Sequence, residues 1–255
     1  MSKNSTIEWT EHTWNPFSGC VKVSPGCDNC YAETLAERYR GTSGFPNGFD
    51  LTLRPHLLGD LKKWKTPSRI FVESMSDLFL GTVPVEYFLK IWETMLEADW
   101  HQYQILTKRP IPAARLIKDH GLDLPPNFWL GVSVESQELA DQRIPVLLDI
   151  PAKVRWLSCE PLLGPVDLRP YIDGLDWVVD GGESGANRRP ASYDWFRSVR
   201  DQCQTHGIAY FHKQGNAHWS GKDRFLDGRT WDEYPALCVC SPEMVIEPVG
   251  STVES

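Results

Sequence analysis

The chain has 255 residues, 41% of them hydrophobic, and a net charge of −8. That is enough apolar material for one sizeable core, and no break in composition divides it, so a single domain over residues 1–235 is expected, followed by a C-terminal tail over 236–255. The acidic balance excludes a global field for nucleic acid or an anionic membrane, and no run suits a bilayer span or a signal core, so a cytoplasmic protein with only local nucleic-acid contacts is expected.

In chain order, a first strand is expected around Thr13–Ser18, leading into Cys20, Cys27 and Cys30. Their spacing, C-x6-C-x2-C, clusters three thiolates and suits a metal site left one ligand short. A structural zinc site closes its tetrahedron with a fourth protein ligand, here His12 or a distant Cys. A three-Cys [4Fe-4S] cluster instead keeps one iron open for a substrate or cofactor. The spacing points first to the cluster and leaves zinc as the alternative. Seven cysteines without a secretion signal fit a reducing compartment, and Cys203, Cys238 and Cys240 read as ordinary thiols.

Six short apolar runs follow, each closing on polar residues: 69–77, 103–109, 128–136, 154–160, 175–183 and 208–214. Helix-compatible segments lie between most of them, at Val85–Ala98, Ile111–His120, Gln137–Asp149 and Tyr193–His206, and Pro84 and Pro112 suit first-turn positions. Only the link over 160–175 is too short and Pro-rich for a full helix. This rhythm fits parallel βα units with right-handed crossovers. The expected fold class is α/β, a parallel (β/α) barrel, complete or partial, TIM-like, with about six or seven βα units.

Parallel strands bring their C-terminal ends to one rim, where such barrels build active sites. The expected rim gathers Glu73, Ser74, Ser76 and Asp77, then Thr107 to Arg109, Ser133, Glu135 and Ser136, Ser158 to Glu160, Gly181 to Ser184, and His212 to Gln214. A strand end turns polar simply by meeting solvent, but six in succession point to a shared polar pocket. His206, His212 and His218 lack metal-ligand spacing and read as structural, and Lys62 to Lys65 reads as a solvated helix end.

With the Cys loop placed after a first strand, the sequence resembles the radical S-adenosylmethionine superfamily. The usual spacing there is C-x3-C-x2-C, and the first gap here is wider, as in atypical members. Over about residues 7–235 the chain more closely resembles a phage-associated three-Cys-motif family. The shared positions include Trp14, Asn15 and Pro16 before the loop, Ser74 to Phe79, Leu106 to Pro110, Gly131 to Glu135, Leu157 to Pro165, Gly181 to Gly185, and Leu226 to Trp231. The resemblance implies a [4Fe-4S] cluster on Cys20, Cys27 and Cys30, S-adenosylmethionine at the open iron, and an external electron donor. Reductive cleavage would then yield a 5′-deoxyadenosyl radical.

By analogy with spore photoproduct lyase, a radical enzyme that repairs a thymine dimer in DNA, the resemblance also implies cofactor contacts. Tyr31 would lie near the adenine, Ser74 or Ser76 at the methionine amino group, Lys108 at its carboxylate, and Ser133 at the ribose, with Glu135 as a second candidate there. These side chains suit those tasks: an aromatic face for adenine, a compact cation for a carboxylate, hydroxyl or carboxylate for ribose. Cys159 is the candidate hydrogen-atom donor to a product radical. Gly181, Gly182 and Glu183 follow the sixth strand, so the amino-group role that such a triplet plays after a second strand is not carried over.

The phage context, with aromatic and basic residues mixed at 62–65 and 224–231, suggests a nucleic-acid or nucleotide substrate for repair or modification. No membrane partner is expected, and a protein partner is left open with its identity unread. Two rival readings accompany this one. In the first, the Cys loop is a zinc or iron–sulfur staple in a non-catalytic adaptor for nucleic acid or protein. In the second, Glu135, Glu160 and Glu183 serve a metal-independent hydrolase as acid and base.

Overall fold

The structure, a computed structural model, describes residues 2–3 and 5–236. Cys238, Cys240 and all but the first residue of the expected tail lie outside the described residues. Strand β1 (Ser2–Lys3) runs antiparallel to β2 (His12–Trp14). The first strand expected over 13–18 breaks after Trp14, because Pro16 cannot donate to a ladder. The chain resumes as β3 (Phe17–Ser18), which pairs with β4 (Thr52–Leu53) in a separate ribbon. Between these two short strands lie the Cys loop and α1 (Tyr31–Arg38).

The remaining strands are β5 (Arg69–Val72), β6 (Gln102–Thr107), β7 (Phe128–Ser133), β8 (Val154–Cys159), β9 (Trp177–Gly181) and β10 (Ala209–Gln214). From β2 through β5 to β10, seven parallel strands pair in sequence order. The sheet therefore curls one way into a partial (β/α) barrel, as expected. Four helices make the crossovers: α2 (Val85–Glu97), α3 (Pro110–Asp119), α4 (Gln137–Leu148) and α5 (Tyr193–His206). Between β8 and β9 there is only a 3-10 turn, Ile172–Gly174, in agreement with the Pro-rich composition of that link.

Local chemistry sets these boundaries. Helix α5 begins where Ser192 Oγ accepts the Asp194 amide and ends at Gly207 in the left-handed region, φ 70. The run expected as strand over 69–77 stops at Val72, since Glu73 turns the backbone to φ 60. Lys62 and Lys63 close a 3-10 helix, Pro55–Lys63, and pair with Glu97 and Asp60. Among the described residues, no helix is long and apolar enough to cross a membrane.

Side chains alternate across each strand, which splits the core into two layers. On β7, Phe128, Leu130 and Val132 join the large layer under the helices, while Trp129 belongs to the inner layer of the curl. Trp9, Trp129, Trp156 and Trp177 fill that interior, edge to face except for the tilted Trp156–Trp177 pair, with ring centroids 5.2–6.0 Å apart. Gly131 makes the stacking possible, because a Cβ there would lie 2.5 Å from the Trp156 ring. The indoles plug the N-terminal part of the curl. Its C-terminal rim stays open for a site.

Candidate functional site

The Cys loop runs from β3 to α1 across the rim. Gly19 starts it at φ 95, pressed so close to Phe49 and Asp50 backbone that a Cβ would lie 2.6 Å away. Cys20, Cys27 and Cys30 then line one cavity together with Tyr31, Ser74, Ser76, Lys108 and Ser133. All three thiols are free and half-buried. Among the described residues, no three His, Cys, Asp or Glu side chains close in on the geometry of a single-ion site. Burial pushes the Cys20 thiol up to about 11, with the Arg109 guanidinium opposing it. Burial also raises Cys30, against the pull of the Glu33 and Ala32 amides at the start of α1.

Residues at and beyond the strand ends grip this loop along its length. Ser76 Oγ donates to Gly19 O at 2.5 Å, and Arg109 Nη2 donates to Val21 O at 2.5 Å. Ser24 Oγ donates to Glu135 Oε1 at 2.9 Å, and Arg189 Nη2 donates to Pro25 O at 2.7 Å. Asn29 Nδ2 donates to Glu183 Oε2 at 2.9 Å, while Arg189 pairs with the same Glu183. Tyr31 closes the series by donating its hydroxyl to Ser74 O.

Glu135 and Glu183 are thus loop anchors. Gly26 lets the loop settle on Glu135, since a Cβ there would lie 2.6 Å from the carboxyl group. The Glu135 carboxylate also meets Lys108 Nζ at 3.1 Å and Arg143 Nη1 at 3.4 Å. Burial raises its pKa, but Lys108, Arg143 and Ser24 outweigh burial and hold the group below its ordinary value. Glu183 behaves alike: burial is outweighed by Arg189. Both carboxyls therefore ionise more readily than a free carboxyl and are engaged with the loop, so neither is poised as the general acid a hydrolase would need.

Other groups turn to the cavity. Ser133 and Ser158 are register partners at the ends of β7 and β8, and both line it. Lys213 Nζ donates to Glu160 Oε1 at 2.5 Å on the same wall. Lys108 reaches in beside Glu135, and Ser74 Oγ is held by Asn15 Oδ1 at 3.2 Å. Trp9 and Phe71 supply an apolar floor.

Residues 4–235 match the family described as "Protein of unknown function (DUF5131)". The chain belongs to that family. No curated protein matches the sequence. Among solved structures, it is similar to spore photoproduct lyase complexed with dinucleoside spore photoproduct, at 11% identity and a TM-score of 0.43. That similarity covers 73% of this chain and 58% of that one, so this DUF5131 chain spans little more than half the length of that structure.

Two members of the expected rim, Cys159 and His212, are corrected by the geometry. Cys159 is fully buried in the layer under the helices, near Cys203 and Asp180, and does not line the cavity. Strand alternation is the reason: Ser158 and Glu160 face inward, so the residue between them faces outward. His212 faces outward as well, its Nδ1 2.7 Å from Asp180 Oδ1, in keeping with a structural histidine. The second candidate for the ribose, Glu135, sits beneath the Cys loop. Ser24, Asn29 and Arg189, which hold that loop, carried no signal in the sequence beyond being polar.

Glu73 lines the cavity just after the end of β5. Its Oε1 accepts the Phe17 amide at 3.1 Å, while its Oε2 is buried without a partner. Burial pushes this carboxyl well above its ordinary value, against the Phe17 amide and Arg54. The folded protein therefore keeps the proton to higher pH than the unfolded chain. The stability this contributes is complete below the unfolded value of about 4.3 and is lost as pH rises toward the folded value. Glu73→Gln, uncharged and of the same shape, is expected to melt above wild type at neutral pH, by a margin that widens from about pH 5 to 8. Thermal melts across that range measure it. A margin constant with pH means that Glu73 does not titrate in this way.

Proposed function

We propose that this protein is a radical S-adenosylmethionine enzyme. The observation that carries the reading is that the thiols of Cys20, Cys27 and Cys30 face one cavity together with Lys108 and Ser133, at the C-terminal rim of a partial barrel. The donor set fits a [4Fe-4S] cluster, which takes one thiolate per iron and leaves an iron for an external ligand. When bound, the cluster and S-adenosylmethionine supply one-electron reductive cleavage to a 5′-deoxyadenosyl radical, with electrons from an external donor.

The chain's own residues bind and orient. Lys108 offers its ammonium to the methionine carboxylate, and Ser74 or Ser76 accepts from the amino group. Ser133 meets the ribose, and the Tyr31 ring lies by the adenine at the cavity mouth. Trp9 and Phe71 exclude water from below. The substrate class we favour is a nucleotide or nucleic acid. The loop after β10 holds Trp219 and Phe225 at 70% and 65% exposure, the most exposed large hydrophobic side chains among the described residues, with Lys222 between them in sequence.

Anaerobically reconstituted and reduced protein is expected to release 5′-deoxyadenosine from S-adenosylmethionine slowly, even without substrate. Chromatography of the quenched reaction measures it. A protein with a full cluster that forms none, with or without candidate nucleic acids, removes the radical reading and leaves a structural cluster in an adaptor.

A further inference from the structure

The cavity holds one side chain whose placement the binding roles above do not explain. Arg109 stands at the end of β6, where it caps the start of α3, and its side chain is 10% exposed. Its Nη1 lies 3.7 Å from Cys20 Sγ and 3.1 Å from Asp77 Oδ2, while Nη2 donates to Val21 O at 2.5 Å. Asp77 is fixed in turn. Its Oδ1 accepts Thr107 Oγ1 at 2.8 Å and the Phe79 amide at 3.0 Å, and its Oδ2 accepts the Lys108 amide at 3.0 Å. The guanidinium is thus locked on three sides with one N–H directed at the first sulfur of the loop.

We propose that Arg109 is the positioning and charge partner of the Cys20 thiolate, and that it raises the reduction potential of the cluster held there. This rests on the cluster reading given above. Taking up one electron adds negative charge to the cluster and its sulfurs. A hydrogen-bond donor carrying positive charge stabilises that reduced form, and hydrogen bonds to cluster sulfurs are among the determinants of potential. The effect is strengthened by burial, where the local dielectric is low. Asp77 orients the guanidinium and offsets part of its charge. Of the three thiols, Cys20 has the guanidinium at its sulfur, whereas Cys27 has only the Ser24 hydroxyl at 3.9 Å.

A merely structural role, holding Val21 across the wide first gap, makes a different prediction. The test compares wild type with Arg109→Met, Arg109→Lys and Asp77→Asn, each reconstituted anaerobically with iron and sulfide. Iron is counted, and the midpoint potential is read by a redox titration followed by electron paramagnetic resonance. Ser76, Glu135 and Arg189 still hold the loop in every variant, so full iron is expected. The potential should move negative in Arg109→Met and lie between that variant and wild type in Arg109→Lys, which keeps the charge but not the fork. It should move positive in Asp77→Asn, which removes the opposing charge. A wild-type potential in Arg109→Met with full iron overturns the proposal. If Arg109→Met takes up no cluster, the other two variants decide, and an unchanged potential in both overturns it equally. Wild type that binds no iron removes the cluster reading itself, and this inference with it.

Discussion

Anaerobically reconstituted wild type is expected to be brown with about four irons per chain, and replacing any one of Cys20, Cys27 or Cys30 by Ala is expected to abolish both. Two remaining thiolates leave two irons without thiolate ligands. Glu135 and Glu183 are already committed to Ser24 and Asn29. The fold should survive, because the loop is anchored by Ser76, Arg109, Glu135 and Arg189 and the two apolar layers lie elsewhere. Circular dichroism of the metal-free variants should therefore match that of metal-free wild type. Cys159→Ala and Cys203→Ala are the controls: both thiols are buried under the helices, so both variants should keep full iron. Wild type that emerges with near-stoichiometric zinc and no iron supports the adaptor instead.

The βα rhythm was legible because its strands are buried on both faces and read as continuous apolar runs, broken by cappable helices. The limits expected for α5 are those observed, where Ser192 and Gly207 mark both ends. The region between β3 and β5 was not legible. Its strands are two residues long, too short for any period, and α1 buries only Ala32 and Ala36. The end of β5 was hidden by Glu73, a residue whose type gives no hint of a left-handed turn.

Of the cavity lining, spacing singles out the three cysteines, and strand ends single out Lys108 and Ser133. Period-two alternation, applied to the run from Ser158 to Glu160, already separates Cys159 from its neighbours. Alternation could not have shown that Glu135 serves the Cys loop. That depends on Ser24 and Gly26, more than a hundred residues away in sequence, and only the folded chain brings them onto its carboxyl.

Lys108→Ala is expected to weaken S-adenosylmethionine binding by about 1.5–3 kcal/mol, roughly ten- to 150-fold in Kd, while leaving the cluster spectrum intact. In the free protein Lys108 Nζ pairs with Glu135 Oε1 at 3.1 Å and is 20% exposed, so its other protons can reach a carboxylate entering the cavity. Removing it does not strand Glu135, which keeps Arg143 and Ser24 and continues to hold the loop. Cofactor affinity and cluster integrity should therefore separate: isothermal titration reads the first, and iron content with the absorption spectrum reads the second. Loss of both together would make Lys108 a support for the Cys loop through Glu135. Should affinity and cleavage stay unchanged in a fully loaded variant, the end of β6 is wrongly assigned. The carboxylate contact would then fall to Lys213, the other lysine on the cavity wall, which Glu160 holds at 2.5 Å.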